Sequence, residues 1–177
     1  MSNKVVKYTV KKGQHDFKPI DSINIITPWR RSVKFRVRFE KDCNYLIPGE
    51  DQYDWNKGGG FAFLFRGILT NTYHSCMWGW RYNPKIDKME LSAYWHDKGT
   101  THYAELDNFE PFVVPFETDV DIEIYKPSVK WRVAFSSNGV KTITETGVTG
   151  WPIRPIGINV GGNIAATQDM TVYMSRS

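Results

Sequence analysis

Residues 75–96 read "SCMWGWRYNPKIDKMELSAYWH", with turn-forming residues in the middle, at Asn83 to Asp87. If the two halves pair around this turn as antiparallel strands, one register places every large apolar side chain on a single face. That register sets four pairs opposite each other: Cys76 and Trp95, Trp78 and Ala93, Trp80 and Leu91, and Tyr82 and Met89. A slip of one residue would mix apolar and polar side chains on both faces, so we predict this register.

A period of two residues also runs through the rest of the chain. It is clearest in "SVKFRVRF" at 32–39, "DVDIEIY" at 119–125 and "KWRVAF" at 130–135, each typical of a half-buried strand. Turn signals occur at 96–100 and 136–139, and the segment "FAFLFRGI" at 61–68, apolar on both faces, predicts a central strand. Short strands, frequent turns and aromatic inner faces predict an all-β fold of two packed antiparallel sheets.

The predicted core follows from these alternating faces. A sandwich interior needs large apolar side chains at every second position, so Trp78 and Trp80 are expected between the sheets rather than on a sugar-binding platform. The residues expected to be largely buried are Phe35, Val37, Trp78, Trp80, Trp95, Ile122, Trp131 and Val133.

Length and composition limit the class of protein. The chain has 177 residues, 41% hydrophobic and 24% charged, which is typical of a single globular domain spanning 1–177. No apolar run reaches the ~18 residues needed to cross a bilayer, and the start, "MSNKVVKYTV", lacks the apolar core of a secretion signal. We therefore expect no membrane contact, and synthesis in the cytoplasm without export. Cys43 and Cys76 are expected to be buried thiols.

The face opposite the predicted core is the candidate site. In the register above it carries Arg81 opposite Glu90, with Tyr94 and then His96 further along the second strand. A cross-strand ion pair would explain Arg81 and Glu90 without any ligand. The alternative is a ligand-binding polar surface, extended by Arg36 and its charged neighbours on the strand at 32–39.

Four stretches resemble, in order, landmarks of concanavalin A-like jelly-roll domains. They are "YTVKKGQH" at 8–15, "YDWNKGGGFAF" at 53–63, "WGWRY" at 78–82 followed by "LSAYWHDKG" at 91–99, and "IGINVGGNIAATQDMTVYM" at 156–174. The similarity is to polysaccharide-lyase-like and lectin-like bacterial or phage members. It implies a jelly-roll β-sandwich whose concave sheet binds glycans and, in lyase members, carries the catalytic residues.

The resemblance also implies a set of roles for a lyase acting on uronate-containing glycans. Such an enzyme needs a cation to neutralise the carboxylate, a base to remove the adjacent proton and an acid to serve the leaving oxygen. Arg81 or Lys57 is the expected cation. Tyr94, His96 or Tyr103 is the expected base or acid.

The chain departs from the enzymes of this fold in several motifs. It has no Gln-x-His pair and no Tyr-Phe-Lys-Ala-Gly motif, and "KGGG" at 57–60 continues into an apolar strand. Nor does it carry two glutamates spaced two apart on a strand, since Glu90 stands alone. These departures favour a non-catalytic glycan-binding module and leave a polysaccharide lyase as the alternative. The ligand-binding residues expected in either case are Arg36, Lys57, Arg81, Glu90, Tyr94 and His96.

A structural or adhesive role in a larger assembly narrows the first hypothesis. Lectin-like jelly rolls usually act outside the cell, and bacteriophage proteins reach the exterior by lysis without an export signal, so a virion protein is expected. Trp29, Trp55 and Trp151 lie in turn-like contexts. Together with Arg30, Arg31 and Arg154 they would form tryptophan- and arginine-rich patches typical of protein interfaces. They are expected to contact other subunits, or a second copy in a homo-oligomer, unless they close the ends of the sandwich.

Metal and nucleic-acid sites are not expected. Glu50, Asp51 and Asp54 could supply oxygen ligands to calcium, but their spacing does not fit an EF-hand and solvated acidic turns are commoner. The four histidines never fall at a local metal-ligand spacing. The net charge of +4 permits an anionic partner, yet alternating charge on a strand is usually a solvated face.

Overall fold

Two antiparallel sheets pack face to face in the computed structural model, which describes residues 4–19, 31–161 and 164–177. The first sheet contains, in spatial order, β1 (Val6–Val10), β12 (Met170–Arg176), β2 (Ser32–Phe39), β8 (Val120–Tyr125), β9 (Arg132–Ser137) and β10 (Val140–Glu145). The second contains β11 (Pro152–Ile156), β3 (Asn56–Phe63), β4 (Ser75–Asn83), β5 (Lys88–Asp97) and β6 (Thr100–His102), with β7 (Phe112–Val114) also pairing with β5. The predicted β-sandwich is confirmed.

Helical structure is limited to short turns in the described part of the chain. The two helical segments are 3₁₀ turns at Lys41–Cys43 and Glu50–Tyr53. No helix among the described residues is long and apolar enough to cross a membrane.

The predicted register of the β4–β5 hairpin is confirmed. Cys76 lies opposite Trp95, Trp78 opposite Ala93, Trp80 opposite Leu91 and Tyr82 opposite Met89. Because side chains alternate between faces, this register sends both tryptophans of β4 toward the first sheet.

The core forms where the inner faces of the two sheets meet. The eight residues predicted to be buried are all at most 5% exposed. Trp78 makes edge contacts with Phe35 and Phe39 of β2, and Trp80 packs against Phe39 with ring centroids 5.5 Å apart. Interlocking rings from both sheets therefore hold the sandwich together. Cys43 also lies buried as a free thiol, as does the second cysteine.

The strand predicted at 61–68 begins and ends earlier than expected. β3 starts at Asn56, and the chain turns after Phe63, where Arg66 and Gly67 have positive φ values of 49° and 81°. Leu64 is consequently 55% exposed. The sequence pattern failed here because a short apolar run gives no signal for where a strand leaves the sheet.

An extra residue interrupts β3 within its glycine run. Lys57 lies opposite Gly79 and Gly59 opposite Trp78, so Gly58 has no partner of its own and forms a bulge. A Cβ built on Gly58 would lie 2.0 Å from the Trp78 ring, so a side chain there would collide with the core. The bulge allows Trp78 to pack directly against the backbone of β3.

Candidate functional site

The outer face of the second sheet brings together most of the predicted site residues. Three adjacent rows cross β3, β4 and β5, and they run Lys57–Gly79–Ser92, Gly60–Met77–Tyr94 and Ala62–Ser75–His96. Lys57, Tyr94 and His96 therefore lie on one face within three neighbouring strands.

Tyr94 occupies the middle of this group. Its ring stacks on Tyr103, with centroids 5.9 Å apart and an interplanar angle of 17°, and meets His96 edge-on at 5.4 Å. Burial, together with the nearby Tyr103 and Asp54, raises the pKa of Tyr94. The Tyr94 phenol is thus half-buried, held by stacking and protonated at neutral pH.

A short hydrogen-bond chain fixes the tautomer of His96. The Ser75 hydroxyl lies 2.7 Å from the Asn71 carbonyl oxygen and 2.9 Å from His96 Nδ1. Since a carbonyl only accepts, Ser75 gives its single proton to Asn71, and Nδ1–H must donate to the Ser75 oxygen. The lone pair of His96 consequently resides on Nε2. Such orientation through a second hydrogen bond is the usual way that histidine is set for proton transfer.

His96 is also kept neutral. The residue is 4% exposed, and burial, reinforced by the positive charge of Lys57, lowers its pKa from 6.5 to about 4. At neutral pH the imidazole is therefore uncharged, and its Nε2 lone pair is a hydrogen-bond acceptor.

Lys57 is the cation of this group. It is half-buried, and burial lowers the pKa of its ammonium group. Its charge is close enough to His96 to contribute to the depressed pKa of the imidazole. A partly desolvated cation beside neutral hydrogen-bonding groups is a suitable environment for an anionic ligand. We name Lys57, Tyr94, His96 and Tyr103 the tyrosine site.

Arg81, by contrast, is occupied within the chain. Its Nε donates to Glu90 at 2.6 Å, its Nη1 donates to the Tyr53 carbonyl at 2.8 Å, and its Nη2 pairs with Glu105. Its guanidinium also lies 4.2 Å from the centre of the Trp55 ring. The predicted Arg81–Glu90 ion pair is confirmed. Arg81 and Glu90 are 7% and 6% exposed, and their ligand-binding role stays a prediction.

Trp55 covers this end of the sheet. It is 6% exposed, and its Nε1 donates to Glu105 at 2.9 Å. The Trp55 ring packs over Gly79 and Arg81 of its own chain, which agrees with the alternative of a residue that closes part of the sandwich. A contact of Trp55 with a partner stays a prediction.

The segment that follows β6 is attached to the sheet at two points. The Ala104 amide donates to the Ser92 hydroxyl at 3.0 Å, and the Glu105 carboxylate binds both Trp55 and Arg81. This attachment carries Tyr103 over Tyr94. The hairpin register predicted from the sequence sets Ser75 opposite His96, but it does not reveal the Asn71 carbonyl that fixes the tautomer. The role of Glu105 has no sequence signal, because Glu105 acts on residues that are distant along the chain.

Arg36 lies on the first sheet, away from the tyrosine site. It belongs to β2, and its side chain pairs with Asp121 of β8 on the outer face of the first sheet, at 2.8 and 3.0 Å. The expectation that Arg36 extends the Arg81 face is wrong, because β2 and β4 belong to different sheets. A ligand-binding role for Arg36 on its own face stays a prediction.

The remaining predicted residues have separate surroundings. Trp151 is partly exposed and contacts two cations, with Arg31 5.7 Å and Lys126 4.6 Å from its ring centre. Its subunit contact stays a prediction, and Trp29 lies outside the described residues.

The acidic loop proposed for calcium is exposed. Glu50, Asp51 and Asp54 lie in and just after the second 3₁₀ turn. Within 4–19, 31–161 and 164–177, no three His, Cys, Asp or Glu side chains converge to hold a metal ion.

Comparisons with known proteins bear on the fold. No family model and no curated protein matches the chain. Among solved structures, the chain is similar to the crystal structure of the alginate lyase vAL-1 from Chlorella virus, with a TM-score of 0.55 and 14% sequence identity. The alignment covers 98% of this chain and 83% of that one. At this identity the similarity supports the jelly-roll β-sandwich fold alone.

Proposed function

We propose that this chain is a polysaccharide lyase that acts on a uronate-containing glycan at the tyrosine site. The observation that carries the proposal is the convergence of a half-buried cation, a stacked pair of phenols and a neutral histidine on one sheet face. These are the three kinds of group that elimination next to a carboxylate requires.

Each residue has a role that its environment favours. The Lys57 ammonium pairs with the uronate carboxylate and stabilises the charge that develops when the adjacent proton leaves. His96 Nε2 takes that proton. The electrons of the broken C–H bond form a carbon–carbon double bond, the glycosidic C–O bond breaks, and the Tyr94 hydroxyl protonates the leaving oxygen. The raised pKa of Tyr94 keeps the acid protonated at neutral pH, and the lowered pKa of His96 keeps the base unprotonated.

The fold comparison supports the same choice. The chain shares its fold with an enzyme named as an alginate lyase, and alginate is a uronate polysaccharide. Arg81 takes no part in the proposed reaction, because two carboxylates of the chain already bind it.

The experiment is a turnover assay on alginate, glucuronan, hyaluronan and pectate. Elimination produces an unsaturated sugar that absorbs in the ultraviolet, so activity appears as rising absorbance. Lys57→Met, Tyr94→Phe and His96→Gln should each lower kcat/KM by about 100-fold or more. Lys34→Met, on the other sheet, should retain full activity. Absence of turnover on every uronate polymer would refute the proposal.

A second candidate is a non-catalytic glycan-binding module. One observation favours it: the arginine expected to neutralise a substrate is held inside the protein. Binding of a glycan that is weakened by Tyr103→Ala, without turnover, would establish this candidate. A structural or adhesive role in a virion has no support from the described residues or the comparisons, and it stays a prediction.

A further inference from the structure

The outer edge of β10 is the least protected strand edge in the described part of the chain. β10 pairs with β9 over all six of its residues, and no described strand pairs with its other side. Elsewhere, Thr9 of β1 exchanges two backbone hydrogen bonds with Lys18, and the edge strand β11 contains two prolines. The remaining edge strands, β6 and β7, have only three residues each. Prolines, coverage and short length are the usual protections against strand pairing.

The turn before β10 determines which backbone groups face outward. Asn138 and Gly139 both have positive φ, at 50° and 79°, as in a type I′ turn. In such a two-residue hairpin the flanking residues, Ser137 and Val140, form a hydrogen-bonded pair. Alternation then directs the amide and carbonyl groups of every second residue away from β9. The outward-directed residues are Lys141, Ile143 and Glu145.

We propose that β10 pairs with β10 of a second copy of this chain, antiparallel and around a two-fold axis at Ile143. In this register Ile143 lies opposite itself, and Lys141 of each copy lies opposite Glu145 of the other. The pairing uses the outward amide and carbonyl groups of these three residues. It joins the two six-stranded first sheets into one continuous sheet.

The charges and the exposure of the β10 side chains favour a second copy of this chain as the partner and favour this register. Ile143 is 48% exposed, and Lys141 makes no ion pair within the described residues. Opposite charges directly across a strand pair stabilise it, and like charges destabilise it. A shift of two residues in either direction would place Ile143 against a charged residue and lose both ion pairs. The self-complementary order of cation, isoleucine and anion is what a two-fold contact requires.

Glu145 remains available for this contact. Its carboxylate already pairs with Arg132 at 2.9 Å and Lys130 at 3.4 Å, yet its side chain is 44% exposed. A carboxylate accepts up to about four hydrogen bonds, so a third cation fits beside the first two.

The test is size-exclusion chromatography with light scattering on the full chain between about 1 µM and 1 mM. Because the contact is small, association is expected in the order of 10–100 µM, with the mass rising from 20.5 kDa toward twice that value. Lys141→Glu and Glu145→Lys should each weaken association by about ten-fold, since each places like charges opposite each other twice. An equimolar mixture of the two variants should restore it, because unlike copies again present opposite charges.

Ile143→Pro provides a second, independent test. Proline removes an amide that faces away from β9, so the variant should fold with the circular dichroism and urea midpoint of the parent. It should remain monomeric at every concentration. Any of three results would overturn the proposal. The parent chain could stay monomeric to about 1 mM, the mixture could fail to restore association, or a folded Ile143→Pro variant could associate like the parent.

Discussion

Arg81 and Glu90 face each other across β4 and β5, and each is more than nine-tenths buried, at 7% and 6% exposure. Glu90 also accepts a hydrogen bond from the Asn83 amide at 2.7 Å. The pair is therefore part of an internal polar network beneath Trp55, and it contributes to the fold rather than to an open surface.

Arg81→Met should reduce the free energy of unfolding by about 3–5 kcal/mol, because it leaves the Glu90 carboxylate buried without its cation. Urea unfolding measures the loss. The matched control is Arg36→Met, which removes an exposed pair with Asp121 and should cost less than about 1 kcal/mol. Equal losses in the two variants would show that Arg81 is as accessible to water as Arg36.

Trp80→Ala should cost about 3–5 kcal/mol, because it empties a fully buried site between Phe39 and Tyr45. Trp151→Ala, at a partly exposed position, should cost less in the same thermal or urea measurement. A Trp80→Ala protein as stable as the parent, but impaired in glycan binding, would mean that the ring is a platform after all.

Folding stability should fall as the pH drops from about 6.5 to about 4, in part through His96. Its pKa in the folded chain is lowered from 6.5 to about 4, so the unfolded chain takes up the proton first as the pH decreases. The contribution of the neutral imidazole is thus complete above pH 6.5 and is lost on approaching pH 4. His96→Gln should flatten this part of the stability profile. An unchanged slope in that variant would mean that another group causes the loss.

The proposed lyase activity should rise above about pH 4 as His96 loses its proton and decline on the alkaline side as Lys57 loses its charge. The alkaline decline should come earlier than for an ordinary lysine, because burial lowers the pKa of Lys57. Lys57→Arg should move that decline to higher pH, since the guanidinium keeps its charge. If Lys57→Arg leaves the alkaline decline in activity unchanged, a group other than Lys57 causes that decline.

Gly58→Ala should destabilise the protein by about 1–3 kcal/mol or more, because the added methyl group would collide with Trp78. Gly147→Ala is the matched control, since the nearest atom to a Cβ there is 3.5 Å away. Thermal unfolding distinguishes them, and similar melting temperatures would mean that β3 can shift away from Trp78 at little cost.

The sequence predicted the features that depend on how side chains alternate between the two faces of a strand. The β4–β5 register, the buried tryptophans and the Arg81–Glu90 pair all follow from which face each side chain occupies within one hairpin. Alternation could not show what covers a face. The contact of Glu105 with Arg81 depends on how the segment after β6 approaches the sheet, and the hydrogen bond from Ser75 to Asn71 depends on the turn before β4.

The same limit explains why Arg36 was grouped with Arg81. Both lie on the polar face of an alternating strand, and a polar face alone does not identify the sheet to which its strand belongs. The sequence also does not show which face of β3 Lys57 occupies, because a run of glycines carries no alternation that could reveal a bulge.

Because of the bulge at Gly58, the number of residues between Lys57 and Phe61 determines which face of the sheet the lysine occupies. Three residues separate Lys57 from Phe61, an odd number, so regular alternation would turn the lysine inward toward the tryptophans. The extra residue returns it to the outer face. Related chains with two or four residues in this interval could present the lysine without a bulge. Related chains that keep three residues in this interval should retain glycine at the bulge. Insertions and deletions in the interval would therefore reveal selection on the outward-facing lysine, even where neighbouring residues diverge.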